Sequence, residues 1–496
     1  MKNFKSVLVI LGTLIIFSCT ETQKLSFEAY ETSAASGNWQ AVEQMEGTAD
    51  IQMKLNPEKT YQTMTGFGGA FTESSSYLLN QLGEENRKKV IDAYFAPEGA
   101  AYSLTRTHIN SSDFSLGNYA YAPEEDMTLS NFSIEEDMDD VIPFIKDAMA
   151  TSEDGFKILA SPWTAPPWMK DNKDWKGGKL LPRYYDTWAL YFSKYIDAYK
   201  AQGIDIWGLT VENEPLGNDS NWESMEYTAE ELASFVENHL GPSLEENGHQ
   251  DVVLLGYDQN RDEELDHFTE AQWANETRKK YFDGTAVHWY ASTYKYYPEL
   301  LQMAHDRAPG KYLIQSEACV DAEVPHWHDD AWYWAKEATD WGWTWAPEEL
   351  KADHPKYVPV YRYARDIIGS MNNWVDGWID WNMVLDREGG PNWASNWCIS
   401  PVIVDPDADE VYFTPLYYVM KHFSKYIRPG AERIDFNLSD DSIMATATTN
   451  PDGSTVVVLL NMEEVAKTVR IELNGVFVNV PLKAQAIQTL VLNATE

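Results

Sequence analysis

The chain has 496 residues, of which 44% are hydrophobic and 13% aromatic, and this length exceeds what one hydrophobic core usually supports. We therefore expect one large domain and one smaller domain. The 38 basic and 78 acidic residues give a net charge of −40, which argues against nucleic acids and anionic membrane surfaces as partners. The 20 Trp and 28 Tyr exceed the needs of packing, and a flat polar substrate such as a sugar would explain part of that surplus.

The N-terminus is typical of an exported lipoprotein. Lys2 and Lys5 precede the apolar run VLVILGTLIIF, which is too short to span a bilayer comfortably, and Ser18 and Cys19 follow it. We predict that residues 1–19 form a bacterial lipoprotein signal, that Cys19 is lipidated, and that the protein is exported and anchored in the outer membrane. That lipid would be its only contact with a membrane, and the face of the membrane stays open. The alternative is an ordinary secretory signal with an incidental cysteine.

Strand-like and helix-like stretches alternate from about residue 60 onwards. Amphipathic patterns such as WALYFSKYIDAYKAQG predict helices between eight strand-like segments rich in β-branched and aromatic residues. The eight segments are TGFGGAF (65–71), YSLTRTHI (102–109), FKILAS (156–161), IWGLTVE (206–212), VVLLGYD (252–258), GTAVHWY (284–290), KYLIQSE (311–317) and VDGWIDW (375–381). This alternation predicts an α/β fold, a (β/α)8 TIM barrel over residues 61–429. A doubly wound open sheet is the main alternative, but GFGGAF is not the glycine-rich phosphate turn that such a sheet would use.

The pattern changes from about residue 410. The stretch RIDFNLSDDSIMATATTNPDGSTVVVLLN alternates with period two and turns at NPDGS, which indicates antiparallel strands. Residues 24–60 have a similar pattern. We therefore predict a β-sandwich attached to the barrel and built from both termini, residues 24–60 and 430–496.

Polar and aromatic side chains gather where the predicted barrel strands end, which is where the reactive residues of such barrels lie. In LTVENEP, Pro215 forbids further strand pairing and fixes Glu214 at a strand end. Glu317 follows 103 residues later, about three βα units of roughly 31 residues each, which places the pair on strands four and seven. Two carboxylates across a barrel mouth with aromatic walls indicate glycoside hydrolysis. A solvated glutamate in a turn is the alternative for Glu214 alone.

Other kinds of chemistry lack a signal in the sequence. There is no serine nucleophile elbow, and no cluster has the spacing of a zinc site. The nearest candidate, HWHDD at 326–330, is better interpreted as a solvated loop. We therefore expect no metal site. Cys319 and Cys398 do not make a disulfide scaffold, and whether they are paired or free stays open.

Nine motifs occur in the order and spacing of the glucosylceramidase-like glycoside hydrolases of family 30, and the resemblance covers nearly all of residues 51–496. The motifs are GFGGAFTES, RTHINSSDFS, ASPWTAPPW, TVENEP, AVHWY, QSEACV, GWIDWN, EGGPNW and PDGSTVVVLLN. The resemblance implies a (β/α)8 barrel with an attached β-sandwich, retaining hydrolysis of β-glycosides, and no cofactor. Together with the N-terminus, it identifies the chain as a bacterial lipoprotein member of that family.

The resemblance also implies roles for single residues. Glu214 of ENEP matches the general acid/base, and Glu317 of SEACV matches the nucleophile. The expected substrate-binding residues are Arg106, Asp113, Trp163, Asn213, His288, Tyr290, Trp381 and Asn396.

Within that set the implied functions differ. Asn213 matches the residue that binds the sugar 2-hydroxyl, Asp113 the one that holds the far hydroxyls, and Tyr290 a neighbour of the nucleophile. The two tryptophans match sugar-contacting walls. Arg106 is expected to hold the nucleophile ionised, but Arg106 and His288 are equally compatible with purely structural hydrogen bonds.

Two further side chains next to the glutamates have structural interpretations. Glu212 lies on the opposite strand face from Asn213, so we expect a supporting or structural carboxylate. Cys319 shares a strand face with Glu317, and a buried inert thiol is the preferred interpretation.

The sequence departs from the glucosylceramide-cleaving members in two loops, both on the leaving-group side. The loop after ENEP differs, and the connection between strands seven and eight is long and rich in tryptophan. Its tryptophans are Trp327, Trp332, Trp334, Trp341, Trp343 and Trp345. We expect this insertion, residues 324–345, beside the leaving-group subsites. The alternative is that its tryptophans only fix the insertion to the barrel, which is at least equally expected for Trp332 and Trp334.

The main functional hypothesis is a retaining hydrolase of β-glucosidic bonds, acting on β-glucosides, gluco-oligosaccharides or glucosylceramide by double displacement. Alternatives within the family are an endo-β-1,6-glucanase or a β-xylosidase. From a different class, a non-catalytic surface glycan-binding lipoprotein is the alternative, and the presence of both glutamates disfavours it.

Overall fold

The computed structural model describes residues 25–217, 221–336, 338–339, 348–349 and 351–493. The strands of these residues are β1 Ser26–Ser33, β2 Gly37–Ala41, β3 Ile51–Thr63, β4 Gly66–Phe71, β5 Leu104–Ile109, β6 Lys157–Pro162, β7 Gly208–Thr210, β8 Val253–Asn260, β9 Gly284–His288, β10 Tyr312–Glu317, β11 Val320–Asp321, β12 Gly377–Asn382, β13 Val384–Asp386, β14 Cys398–Ile399, β15 Val402–Asp405, β16 Glu410–Phe413, β17 Glu432–Leu438, β18 Met444–Thr449, β19 Thr455–Asn461, β20 Lys467–Leu473, β21 Val476–Leu482 and β22 Ala486–Asn493. The helices are α1 Glu73–Gln81, α2 Glu84–Phe95, α3 Val141–Thr151, α4 Tyr185–Ala201, α5 Ala229–Phe235, α6 Gly241–Glu246, α7 Glu264–Gln272, α8 Glu276–Tyr281, α9 Pro298–Arg307, α10 Asp330–Trp334, α11 Pro359–Asn372 and α12 Pro415–Ser424.

Eight parallel strands close into a barrel in the order β10-β12-β4-β5-β6-β7-β8-β9, which follows the chain once around the barrel. These strands are largely buried on both faces, and their segments are rich in the apolar and β-branched residues that such strands use. The interior is filled by one apolar side chain from each of six strands: Leu104, Leu159, Leu255, Ala286, Ile314 and Ile379. The predicted TIM barrel is confirmed.

The fourth barrel strand is shorter than its sequence pattern predicts. The apolar pattern suggested residues 206–212, but β7 covers only Gly208–Thr210. The reason lies just after it, where Glu214 adopts a left-handed φ of 51°. The Asn213 amide donates to the Pro162 carbonyl at 2.7 Å, and the Glu214 amide donates to the Asp258 carbonyl at 3.0 Å. The chain therefore leaves the ladder early while its amides remain satisfied by the neighbouring strands.

Helices α1 and α5 of the barrel begin at residues whose side chains satisfy free backbone amides. Thr72 precedes α1, and its hydroxyl accepts from the Ser75 amide. Thr228 and Glu231 form a reciprocal capping box at the start of α5. These caps fix where each helix leaves the rim of the barrel, and α1 and α5 thereby define the loops beside the strand ends.

The second domain is a nine-stranded sheet in the order β2-β1-β22-β19-β18-β17-β3-β20-β21. Along β3 the side chains of Ile51, Met53 and Leu55 are buried and those between them are exposed, as period two requires. Together with apolar side chains from the other strands they form a core separate from that of the barrel. The sheet folds over this core, and its strands come from both ends of the chain. The predicted attached β-sandwich is confirmed.

The segment between the barrel and the sandwich contains the change of pattern near residue 410. The change of pattern near residue 410 falls on β16, which pairs with β15 in a small three-stranded sheet and not with the sandwich. Helix α12 follows, beginning after the cap residue Thr414, so the strands of the sandwich resume only at β17. Among the described residues, no helix has the length and apolar character needed to cross a membrane.

The first part of the insertion between strands seven and eight is fixed to the body of the protein. Trp334 is 7% exposed and contacts the edge of Tyr361. Trp332 stacks on His326 with ring centres 4.1 Å apart. These contacts favour the structural alternative for both tryptophans, since Trp334 belongs to the main hydrophobic core and Trp332 packs against that core.

Further contacts anchor the same segment. Trp327 packs against Tyr412, and the Arg387 guanidinium lies 5.1 Å from the centre of its indole ring. Asp330 accepts a hydrogen bond from the Asn38 amide of β2 at 2.9 Å. The other three tryptophans, Trp341, Trp343 and Trp345, lie outside the described residues, so their expected position beside the leaving-group subsites stays a prediction.

Candidate active site

A cavity of about 570 Å³ opens at the C-terminal ends of the barrel strands, and eight of the ten predicted site residues line it. These eight are Asp113, Trp163, Asn213, Glu214, Tyr290, Glu317, Trp381 and Asn396. The other two, Arg106 and His288, are fully buried and form hydrogen bonds with the carboxylates of the cavity. The structure therefore brings all ten predicted residues together.

The two glutamates face each other across the cavity. Glu317 is the last residue of β10, and Glu214 follows β7 at the turn where the backbone leaves the ladder. One carboxylate oxygen of each lies within 4.8 Å of the other. Glu214 is the more accessible, with 18% of its side chain exposed against 9% for Glu317. The pair thus consists of one deep and one shallower carboxyl group.

Arg106 is buried beneath the cavity and forms hydrogen bonds with several of its residues. Its Nη1 donates to Glu317 Oε2, and its Nη2 donates at 2.8 Å to both Asn213 Oδ1 and Asp258 Oδ2. Its Nε donates to Ser161 Oγ at 3.0 Å. The guanidinium therefore fixes the orientation of Glu317. It also occupies the amide oxygen of Asn213, so the amide Nδ2 of Asn213 remains to donate to a ligand in the cavity.

Asp258, at the end of β8, is a functional residue that the sequence reasoning missed. It is fully buried, and its Oδ1 accepts from Ser316 Oγ at 2.6 Å and from His288 Nε2 at 3.0 Å. Its Oδ2 accepts from Arg106 and from Thr210 Oγ1 at 2.7 Å. Burial acts to raise the pKa of Asp258, but Arg106 and His288 outweigh it and hold that pKa well below its usual value. Asp258 is therefore the fixed negative charge that holds both cations in place.

His288 is a cation in this arrangement. Its Nδ1 lies 3.3 Å from Glu214 Oε1 and its Nε2 lies 3.0 Å from Asp258 Oδ1. Burial acts to lower its pKa, but the charge of Glu317 and the bonds to Asp258 and Glu214 outweigh burial and raise the pKa to about 9. At neutral pH both ring nitrogens therefore donate, Nε2 to the carboxylate of Asp258 and Nδ1 to the carboxyl group of Glu214.

The environment of Glu317 opposes the effect of its burial. Burial raises the pKa of Glu317 and the nearby charge of Glu214 adds to the rise, whereas His288 and Arg106 oppose it. Tyr290 Oη lies 3.0 Å from Glu317 Oε1. Burial raises the pKa of Tyr290 well above its usual value, so the phenol stays protonated and donates. Glu317 thus accepts hydrogen bonds at both oxygens, which stabilises its ionised form.

The aromatic wall of the cavity consists of two stacked tryptophans. The rings of Trp163 and Trp381 lie 5.1 Å apart at an angle of 24°. Arg106 lies 4.9 Å from the Trp163 ring and 5.7 Å from the Trp381 ring. Phe114 contacts Trp381 edge-on and fixes its plane. Such a wall suits the apolar face of a sugar ring.

Asp113 and Asn396 lie together in the cavity wall. Asn396 Nδ2 donates to Asp113 Oδ2 at 3.3 Å, whereas Asp113 Oδ1 is buried without a hydrogen-bond partner among the described residues. Burial, together with the charges of Glu317, Glu223 and Glu214, raises the pKa of Asp113 well above its usual value. A buried polar atom without a partner is costly, so this oxygen is suited to a hydroxyl group of a ligand.

Glu212 lies outside the cavity, as the sequence predicted for a structural carboxylate. It is fully buried, and both of its carboxyl oxygens lack a hydrogen-bond partner among the described residues. Burial raises the pKa of Glu212 well above its usual value, and Lys170 opposes this only in part. Although it is only two residues from Glu214, Glu212 is therefore a buried, neutral group that provides a matched control for substitutions of Glu214.

Glu214, His288 and Glu317 are the group of described residues whose ligand atoms are close enough to hold a metal ion. The positive charges of Arg106 and of His288 itself disfavour a cation between them.

Asp258→Asn is expected to lower kcat/KM by about 100-fold, because Arg106 and His288 lose the charge that positions them. The same change removes a group that raises the pKa of His288, so that pKa should fall from about 9 towards or below its usual value. In the native protein His288 loses its positive charge as the pH rises through about 9. In Asp258→Asn it should lose that charge at a lower pH. Titration of the imidazole by NMR, with the pH dependence of kcat/KM, measures this.

The matched control is Asp366→Asn, which removes another buried carboxylate, the partner of Arg261. It should destabilise the protein, by about 3–5 kcal/mol for a broken buried pair, without moving the pKa of His288. If the two substitutions affected His288 and kcat/KM equally, Asp258 would have only a structural role.

Comparison with known proteins is consistent with this geometry. The model of the glycosyl hydrolase family 30 TIM-barrel domain matches residues 64–340 and 326–427, and that of the family 30 β-sandwich domain matches residues 430–490. The chain belongs to glycoside hydrolase family 30. As a member of this family it is a glycosidase, and its substrate is a carbohydrate.

This family 30 enzyme is similar both to a glucosylceramidase and to endo-β-1,6-glucanases. It is 35% identical to lysosomal acid glucosylceramidase of Mus musculus, over 83% of this chain and 77% of the relative. It is 30% identical to endo-1,6-β-D-glucanase of Neurospora crassa, over 82% of this chain and 80% of the relative. The structure of the endo-β1,6-glucanase BT3312 matches with a TM-score of 0.81 and 27% identity, over 95% of this chain and all of the other.

Proposed function

We propose that this family 30 enzyme hydrolyses β-glucosidic bonds with retention of configuration, with Glu317 as nucleophile and Glu214 as general acid/base. The observation that carries the proposal is the separation of their carboxylate oxygens, which is within 4.8 Å. Retaining enzymes hold these groups about 5–5.5 Å apart, whereas inverting enzymes need about 6.5–9.5 Å to admit a water molecule. The spacing leaves room for attack by Glu317 itself.

In the first step, Glu317 attacks the anomeric carbon while Glu214 transfers its proton to the glycosidic oxygen. The bond to the leaving group breaks, the alcohol departs, and a glucosyl ester with Glu317 remains. Arg106, Tyr290 and His288 favour the ionised form of the nucleophile before attack. Asn213 is oriented to donate to the sugar 2-hydroxyl, because Arg106 already occupies its amide oxygen.

In the second step, Glu214 takes a proton from water and the resulting hydroxide attacks the anomeric carbon. The ester bond breaks, Glu317 returns as a carboxylate, and Glu214 is protonated again. Two inversions give a product of the same anomeric configuration as the substrate. Throughout, Trp163 and Trp381 form the wall on which the sugar ring packs, and Asp113 Oδ1 accepts from one of its hydroxyls.

The part of the cavity next to Glu214, which is the leaving-group side if Glu214 protonates the glycosidic oxygen, contains three amide side chains. Gln259 and Asn260 end β8, next to the turn of Glu214, and Asn221 lies in the loop after β7; all three line the cavity. Gln259 Oε1 is buried without a partner among the described residues. These amides favour a sugar over a lipid as the leaving group, so we propose gluco-oligosaccharides or glucan fragments as the preferred substrates. The second candidate function is an endo-β-1,6-glucanase, which the likeness to endo-1,6-β-D-glucanases supports. Glucosylceramide is then the less favoured substrate.

The substrate proposal is tested with one set of compounds and the unmodified enzyme. An aryl β-glucoside, β-1,6-, β-1,3- and β-1,4-linked gluco-oligosaccharides and glucosylceramide are compared by kcat/KM and by product analysis. We expect at least one oligosaccharide to exceed glucosylceramide by about tenfold or more, the effect of roughly 1.4 kcal/mol of additional binding in the transition state. A preference for glucosylceramide would contradict the polar leaving-group subsite without affecting the two catalytic roles.

We also propose that the protein is exported and anchored in a bacterial outer membrane through Cys19. The sequence of residues 1–19 supports this proposal, and these residues lie outside those that the structure describes. Cys19→Ala is expected to move the protein from the membrane fraction to the soluble fraction while its activity stays the same. A mature N-terminus elsewhere, without acyl mass, would show that the anchor does not exist.

A further inference from the structure

Two thiols lie together in the wall of the active-site cavity. Cys319 and Cys398 are free, each is 3% exposed, and both line the cavity that contains Glu317. Their sulfur atoms are 3.5 Å apart. One follows β10 and the other begins β14, and the adjoining strands β11 and β14 pair with each other. The fold therefore holds two cysteines in contact that are 79 residues apart in sequence.

The pair is connected to the proposed nucleophile by a continuous series of contacts. Cys319 Sγ lies 3.4 Å from Tyr290 Oη, and Tyr290 Oη lies 3.0 Å from Glu317 Oε1. On the other side, Cys398 Sγ lies 3.7 Å from Asp321 Oδ1. A change in the position of the Cys319 sulfur would therefore alter the surroundings of the Tyr290 hydroxyl, which donates to Glu317.

We propose that Cys319 and Cys398 form a modification site, a dithiol that disulfide compounds oxidise to a cross-link in the cavity wall. One thiolate attacks a sulfur of the oxidant's disulfide, forms a mixed disulfide and releases one thiol. The second cysteine then attacks the mixed disulfide at the protein sulfur, forms the internal bond and releases the second thiol. The protein loses two electrons and two protons, and the oxidant, an organic or protein disulfide, gains both.

The geometry allows this bond with a small movement. A disulfide needs its sulfur atoms about 2.05 Å apart, so the two sulfurs must approach by roughly 1.5 Å. Any part of that approach made by the Cys319 sulfur changes its 3.4 Å contact with Tyr290 Oη. It also ties the segment that follows Glu317 to the segment that follows Asn396. The oxidised enzyme should therefore be more resistant to unfolding, since the bond closes a long loop, and less active.

The thiols are expected to react slowly at neutral pH. Burial raises the pKa of Cys319 to about 11, and the contact with Cys319 together with burial raises the pKa of Cys398 well above its usual value. The carboxylates of Asp321 and Glu317 face the same space and also disfavour a thiolate. Incubation at about pH 9 increases the reactive thiolate fraction, which makes the reaction measurable.

The test uses the full chain, reduced with dithiothreitol and then incubated with oxidised glutathione. We expect the mass of the protein to fall by that of two hydrogen atoms. We also expect peptide mapping to find a peptide that links Cys319 to Cys398 and to separate it from any product at Cys19. We also expect a higher melting temperature and a fall in kcat/KM of about two- to tenfold, the effect of one weakened hydrogen bond. Dithiothreitol should reverse all of these changes.

Cys398→Ala is the matched control, since it leaves Cys319 without a partner. The same treatment should then give neither a linked peptide nor a higher melting temperature. A second measurement in denaturant establishes that both thiols react with the oxidant once they are exposed. The proposal is wrong if the folded native protein gives no linked peptide under conditions that modify the unfolded chain. A linked peptide with unchanged kcat/KM would contradict the coupling through Tyr290.

Discussion

Glu317→Gln is expected to lower kcat/KM for an aryl β-glucoside by about four orders of magnitude or more, because an amide cannot form the glucosyl ester. The loss is large because both reaction paths are closed. Without a nucleophile no covalent intermediate forms, and the narrow spacing of the two glutamates leaves no room for direct attack by water. Steady-state and single-turnover kinetics measure the loss. Thermal unfolding of the same sample shows whether the fold persists, because the change also removes a charge next to Arg106 and His288.

The variant Glu317→Gly, assayed with α-glucosyl fluoride, distinguishes loss of the nucleophile alone from disruption of the whole active site. The α-fluoride has the configuration of the enzyme-bound ester, and the space left by the side chain admits it. Glu214 should then activate an acceptor sugar, and fluoride should leave as a new β-glucoside forms. Transfer without hydrolysis is the expected result. If Glu317→Gln retained more than about a hundredth of native activity with no new path to product, another group would be the nucleophile.

Glu214→Ala is expected to lower kcat/KM by about 10²–10⁴-fold for substrates with poor leaving groups, such as gluco-oligosaccharides, since general acid catalysis is lost. Aryl glucosides whose phenols leave readily should lose much less in the first step, because they need little protonation. Their glucosyl ester should accumulate, since water is no longer activated in the second step. A burst of phenol followed by slow turnover measures this difference.

Azide provides the rescue experiment for Glu214→Ala, because it attacks the glucosyl ester without needing a general base. The expected product is β-glucosyl azide, with restored turnover of the aryl glucoside. The matched control is Glu212→Gln, which changes a buried carboxyl group two residues away that lies outside the cavity. It should show no burst and no azide effect, and its main consequence should be a changed melting temperature. Azide rescue of Glu212→Gln, or its absence for Glu214→Ala, would contradict the assignment.

The barrel and the positions of both glutamates were predictable because they depend on local pattern and chain spacing. Strands of a closed parallel barrel are apolar on both faces, and each βα unit has a nearly constant length. A proline directly after Glu214 and 103 residues to Glu317 are therefore enough to place them on strands four and seven. The early end of β7 was not predictable, because a left-handed Glu214 stabilised by the Asp258 carbonyl is a tertiary feature.

The charge balance of the site could not be derived from the sequence. The predicted strand VVLLGYD ends with Asp258, and an aspartate at a strand end was the one feature of the sequence that could have pointed to this residue. Its importance depends on Arg106 and His288 arriving from two other strands. For the same reason the sequence left the roles of Arg106 and His288 open, and only their distances to Asp258 and Glu317 show that both cations are held in the site.

The most direct measurement is to incubate the enzyme with 2-deoxy-2-fluoro-β-glucosyl fluoride and to locate the label by peptide mass spectrometry. The fluorine at C2 slows both steps, and the good leaving group lets the first one proceed, so the covalent intermediate should accumulate. We predict one fluoroglucosyl group per chain, attached to Glu317, and release of the label with return of activity when an acceptor sugar is added. A label on a different carboxylate, or turnover with no covalent intermediate and with inverted product, would contradict double displacement at Glu317.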